Sequence, residues 1–226
     1  MKQRSIWVLL VVVATAMFSC KKDSASDAGQ AYIRVVHGVP NEGSVNITMN
    51  GTKVATIGSY GLSTLYTTVD VGTANVQMTG TTTLLNNNFL TEKDKYYTIV
   101  VADSSNKVKV SYLTDQPVAA SGKAKINILH LGTVVPATSF SNASMLGDIS
   151  ANRSFNDQLT TPASAAYFNV EPGDYTIEAR TPGSVASTGI IVTNTKALQS
   201  GKSYTFVYRN PIAPSTTPTF TFISNQ

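Results

Sequence analysis

The sequence predicts an all-β fold, and three observations predict it. Apolar residues recur at every second position in short runs, turn residues punctuate those runs roughly every 8–12 residues, and no dozen consecutive residues beyond the N-terminal region carry a helical apolar stripe. In the first run Ala31, Ile33, Val35 and His37 fall on one face of an extended strand, and Tyr32, Arg34 and Val36 on the other. Val45 to Met49 alternates likewise and meets Asn50-Gly51, a pair that tolerates the positive φ of a type I′ hairpin turn, so Thr52 to Ile57 is the returning strand. Tyr66 to Val71 and Asn75 to Thr79 are expected to pair around Gly72-Thr73, and Tyr96 to Ala102 and Lys107 to Leu113 around the polar stretch 103–106. Short strands in this number predict sandwiches of two antiparallel sheets.

The same order of elements occurs twice. Ala31 to His37 recurs as Ala124 to His130, an offset of 93; Tyr66, Val69, Gly72 and Val76 recur as Tyr167, Val170, Gly173 and Ile177, an offset of 101; Lys95 and Tyr97 to Val100 recur as Lys202 and Tyr204 to Val207, an offset of 107. Offsets that only rise describe a duplicated unit whose second copy carries loop insertions. The division is a first module at 31–115, a linker at 116–123 with Pro117 and Gly122, and a second module at 124–226. Thr219 to Ile223 alternates again and is predicted to pair with Ser203 to Tyr208.

The N-terminus carries an address. Lys2 and Arg4 precede an apolar run from Ile6 that ends at Ser19, too short for a span of about 20 residues. Residues 1–19 are read as a secretory signal. Cys20, the one cysteine of the chain, stands where a signal peptidase would cut. Met17-Phe18-Ser19-Cys20 resembles the bacterial lipoprotein box, with Met and Phe in place of the usual Leu and small residue. Lys21-Lys22-Asp23 resembles the tails of Bacteroidota lipoproteins, and Asp23-Ser24-Ala25 an O-glycosylation site of that phylum. The resemblance implies a lipid anchor on Cys20 that holds the protein to the outer membrane, on its periplasmic or outer face, with 20–30 as lipidated cysteine and flexible tether.

Ile33 to Pro40, the Val45 to Gly51 hairpin and the segments Tyr66 to Gly72 and Tyr167 to Gly173 resemble the bacterial extracellular family called domain of unknown function 4397. In the second copy Thr133 replaces the corner proline expected after His130, and no Asn-Gly hairpin follows. The resemblance implies two tandem immunoglobulin-like β-sandwiches and an envelope location. It implies no reaction.

Composition sets the remaining bounds. Charged residues make up 13% and hydrophobic residues 42%, which excludes charge-driven disorder. The formal charge is +4, falling to +2 once Lys2 and Arg4 leave with the signal, too little for a nucleic-acid surface. One Cys and two His exclude a disulfide framework and a zinc ribbon, and no cofactor is expected. There is no nucleophile elbow, phosphate-cradling Gly-Lys-Ser/Thr loop or His-Glu-x-x-His pair.

The chemistry-bearing residues are therefore few. His37 and His130, at equivalent positions ending an apolar series, are expected to fix strand-to-loop corners rather than hold a metal. Tyr66 and Tyr167, with Gly72 and Gly173, are repeat positions and expected to be structural. Trp7 leaves with the signal, so Tyr32, Tyr60 and Tyr112 are the rings offered for stacking on a sugar. The expected function is a non-catalytic binding or structural module of the cell envelope with a glycan or envelope protein as partner. The alternatives are a glycan-binding surface lipoprotein that assists polysaccharide capture and a hydrolase with a site between the modules.

Overall fold

The computed structural model describes residues 29–104, 107–134, 137–143, 148–184, 188–212 and 215–225. Cys20, the signal run and the tether before Gly29 lie outside the described residues. The first half holds β1 (Gln30–Gly38), β2 (Val45–Met49), β3 (Thr52–Ile57), β4 (Thr67–Asp70), β5 (Gly72–Thr79), β6 (Thr83–Thr91), β7 (Tyr96–Ser104) and β8 (Lys107–Thr114). The second holds β9 (Ala124–Leu131), β10 (Ala137–Asn142), β11 (Asp148–Ser154), β12 (Phe168–Val170), β13 (Gly173–Arg180), β14 (Ile190–Leu198), β15 (Ser203–Arg209) and β16 (Thr219–Ser224), with two 3₁₀ turns at Asp157–Leu159 and Pro162–Ala165. No α-helix occurs among the described residues.

Four sheets form two β-rich bodies. The strand orders are β4-β1-β7-β8 and β3-β2-β5-β6 in the first, β12-β9-β15-β16 and β11-β10-β13-β14 in the second, the same order after adding eight to each strand number. Each body closes its pair of sheets over a core. In the first, Ile33, Val35, Ile99 and Val101 of one sheet meet Ile47, Val76 and Met78 of the other; in the second, Ile126, Ile128 and Phe206 meet Phe140, Ile177 and Ala179. Burying each such side chain stabilises by about 1.5–3 kcal/mol.

Two pairings form as the sequence predicts. β2 and β3 pair across Asn50 (φ 47°) and Gly51 (φ 80°), and Thr219–Ser224 pairs antiparallel with Ser203–Arg209, the latter as its alternation and not its turn predicts. Two expectations are corrected. The sheets are not purely antiparallel, because β1 runs parallel to β7 and β9 parallel to β15. Nor do β4 and β5 form a hairpin: β4 pairs with β1 in one sheet, and β5 with β2 and β6 in the other. Gly72 and Gly173, both at φ 119°, are where the chain crosses between sheets, a backbone angle that strains any residue with a Cβ.

Candidate functional site

Arg34 sits on the face of β1 opposite its own core, yet it is 1% exposed. The second half covers it. Its Nε donates to Thr98 Oγ1 at 2.6 Å, one terminal nitrogen donates to Thr205 Oγ1 at 2.8 Å, and the other donates to Asn225 Oδ1. Thr98 in turn donates to Asp115 Oδ2, which also accepts the Tyr66 hydroxyl at 2.6 Å; Oδ1 accepts the Tyr167 hydroxyl at 3.0 Å. The Arg34 Nε lies 3.7 Å from Asp115 Oδ2, and the guanidinium stands 5.1 Å above the Tyr66 ring. Desolvation pushes both phenol hydroxyls far above their ordinary pKa, with the Asp115 charge adding to it, so each stays a proton donor. A buried pair of charges is sustainable only with its remaining lone pairs and protons satisfied, and these partners do that.

The register of the sheets makes this cluster nearly symmetric. Thr98 of β7 and Thr205 of β15 are equivalents, as are Asp115 and Asn225, which each donate their backbone N–H back across the sheet, to Tyr96 O at 2.7 Å and Ser203 O at 2.8 Å. Asn127 occupies the place of Arg34. The first half thus carries the charge pair and the second two amides. An apolar cluster continues the contact with Val36 and Leu129, Val100 and Val207, and Leu113 and Ile223, again pairs of equivalents. The two bodies share this third core.

At the other end of the seam Tyr60 crosses from the first half. Its hydroxyl donates to Leu131 O at 2.8 Å and accepts from Asn210 N at 3.1 Å, and burial pushes its pKa up to about 12. Gly61 (φ 84°) comes next because a Cβ there would overlap the Arg209 side chain. Its counterpart is Asn156 (φ 51°): Gly61 N donates to His37 O and Asn156 N to His130 O, both at 2.7 Å. There the side chain fills the space, and Asn156 Oδ1 accepts Ser111 Oγ at 3.0 Å across the seam.

The two histidines differ. His37 fixes its corner: Nε2 donates toward Gly43 O at 3.0 Å and Glu42 O at 3.3 Å, while Nδ1 accepts Val39 N at 3.4 Å. His130 does not, which corrects the expectation drawn from its equivalence. Both its ring nitrogens are buried without a partner, between Phe140 and Tyr208 at centroid distances of 5.7 and 5.0 Å, and desolvation lowers its pKa to about 4. No three His, Cys, Asp or Glu side chains converge among the described residues.

The three rings offered for sugar stacking each meet other groups of the protein. Tyr60 is a seam residue, 3% exposed, because the loop after β3 dips into the second half; this removes it from the candidates. Tyr112 stacks on Tyr97 at 4.9 Å and donates to Leu90 O at 2.5 Å. Tyr32 is half-buried and stacked on Tyr96 at 4.4 Å. The ring that sequence reasoning missed is Phe168 of β12, which lines a groove of about 560 Å³ on the open side of the second body. A smaller recess of about 260 Å³ lies beside Asp115, Asn127 and Tyr167. The Asp115 side chain is 1% exposed, and its two oxygens accept from Thr98, Tyr66 and Tyr167.

Fold and seam together define an all-β protein of two like bodies fused by equivalent faces. The family described as Domain of unknown function (DUF4397) matches residues 31–141, so the chain carries a domain of that family. The match covers the first body and continues through β9 and most of β10. No curated protein matches the chain.

Proposed function

We propose that this is a non-catalytic, lipid-anchored protein of the cell envelope, whose two immunoglobulin-like modules act together as one binding or structural body. The observation that carries the reading is the use made of the buried charged and hydroxyl groups: Arg34, Asp115, Tyr66, Tyr167 and Asn225 are paired with one another across the seam. Two four-stranded sheets closed over one core in each module support the immunoglobulin-like assignment. Cys20 at the end of the apolar run, with a small, polar spacer after it, supports the anchor and the signal peptide. Replacing Cys20 with Ser should move the protein from the detergent-soluble membrane fraction to the aqueous one, and the mature wild-type N-terminus should carry acyl mass. Retention of the variant in the membrane, or an unmodified thiol, overturns the anchor. Protease treatment of intact cells then distinguishes the outer face from the periplasmic one.

A further inference from the structure

β12 is the edge of one sheet of the second body and β11 the edge of the other, so between them the core is left open. Ile149, Phe168 and Val170 pack against that core and remain partly exposed, forming an apolar floor with Tyr175. The rim is polar: Asn142, Asn169 and Asp174 surround the floor together with Glu171, whose carboxylate pairs with Lys123. Among the described residues neither Lys nor Arg lines the groove itself. An aromatic and aliphatic floor suits the apolar face of a pyranose, while amides and carboxylates at the rim suit its hydroxyls, and the Lys123 ammonium beside the rim is already paired with Glu171.

The first body supplies an internal control. Its own open side, between β4 and β3, holds a groove of about 320 Å³ with Thr67 where Phe168 stands and Thr68 where Asn169 stands. Threonine is enough to close the fold at that place. The ring in the second copy is therefore not a requirement of the architecture. We propose that the Phe168 groove binds a neutral oligosaccharide, with one pyranose stacked on the Phe168 ring and its hydroxyls held by Asn169 and Asp174. The proposal rests on reading the chain as a binding module, and it is independent of the anchor.

The test is a nuclear magnetic resonance titration of the lipid-free Cys20→Ser chain with neutral cello-, xylo- and manno-oligosaccharides and, separately, with polygalacturonate and an apolar peptide. At least one neutral sugar should shift the amide resonances of Phe168, Asn169 and Asp174 at millimolar concentration and leave Thr67 and Thr68 in place. Phe168→Leu keeps the floor apolar and should weaken that sugar about tenfold through loss of the stacked face. Asn169→Ala, on the exposed rim, should weaken it without lowering the melting temperature. The proposal fails if no neutral sugar shifts these resonances, if both grooves respond alike, if polygalacturonate or the peptide binds more tightly, or if Phe168→Leu keeps full affinity. Such a failure leaves the membrane fractionation of Cys20→Ser untouched.

Discussion

Tyr66 and Tyr167 reach the same carboxylate from opposite halves of the molecule, one bonding Asp115 Oδ2 at 2.6 Å and the other Oδ1 at 3.0 Å. They are equivalent residues of the two copies, so a duplicated side chain has been put to one shared use. The carboxylate has no duplicate, because the equivalent position holds Asn225. Two identical faces would bring like charge against like. Replacing one Arg–Asp pair with Asn127 and Asn225 leaves one charge of each sign at the seam.

The tyrosines give an alkaline signature. In the unfolded chain each ionises near its ordinary pKa of about 10. In the fold burial raises both well above that value, with coulombic repulsion by Asp115 contributing. Their contribution to stability is present below the unfolded pKa and is lost as pH rises above it. Phenolate absorbance should therefore show Tyr66 and Tyr167 ionising only as the protein unfolds. Tyr167→Phe should lower stability by about 1–3 kcal/mol by leaving Asp115 with one donor fewer. Ionisation of both groups in a chain that keeps its folded circular dichroism would contradict the burial described.

The second half suggests how the charge pair can be replaced. Asp115→Asn alone strands the Arg34 guanidinium in the seam and should cost about 3–5 kcal/mol. Arg34→Asn with Asp115→Asn reproduces the amide pair of the second copy and should recover part of that loss. Chemical denaturation of the two single variants and the double variant forms a cycle whose coupling should be positive and exceed about 1 kcal/mol. Strict additivity would mean that the two residues do not act on one another.

Much of the fold was legible because period-two alternation needs only local information. Ile33 and Val35 announce a core face, Asn50-Gly51 a turn, and the rising offsets a duplication. What alternation omits is the identity of whatever covers the second face. Arg34 and Tyr60 look solvent-facing until another body is laid on them. A signal was available: Ile99-Val100-Val101-Ala102 and Phe206-Val207-Tyr208 are apolar on both faces, as strands buried on both sides are. The β4-to-β5 crossing was misread because glycine at φ 119° serves a sheet change as readily as a hairpin. Phe168 was missed because three residues of strand carry no period.

The shared core also determines how the chain should respond to a cut in the linker. Val118 is 62% exposed between the halves, so a protease site placed between Pro117 and Gly122 is accessible. The two pieces should elute together in size exclusion and separate only in denaturant, since parting them exposes Val36, Val100, Leu113 and their counterparts. Each half expressed alone should aggregate or unfold at lower denaturant than the nicked pair. Two independently stable monomers would refute a common core.

His130 should make the second half acid-sensitive. Its ring is fully buried, its two nitrogens have no partner, and desolvation holds its pKa at about 4, with Asp157 raising it and Arg153 lowering it only secondarily. In the unfolded chain the same ring takes a proton near pH 6.5. Because the folded value is the lower one, the unfolded state binds the extra proton first as pH falls. The stability lost begins to go near pH 6.5 and is fully lost below about pH 4, a difference of about 3 kcal/mol. His37, whose pKa is also lowered by burial, is partly compensated by the Gly43 and Glu42 carbonyls that accept from its ring, and should contribute less. Denaturation of the wild type and of His130→Phe across this range isolates the effect: the variant keeps an aromatic ring against Phe140 and Tyr208 but cannot titrate, so its stability should fall less steeply between pH 6.5 and pH 4. Parallel curves would mean that His130 is protonated as readily in the fold as out of it.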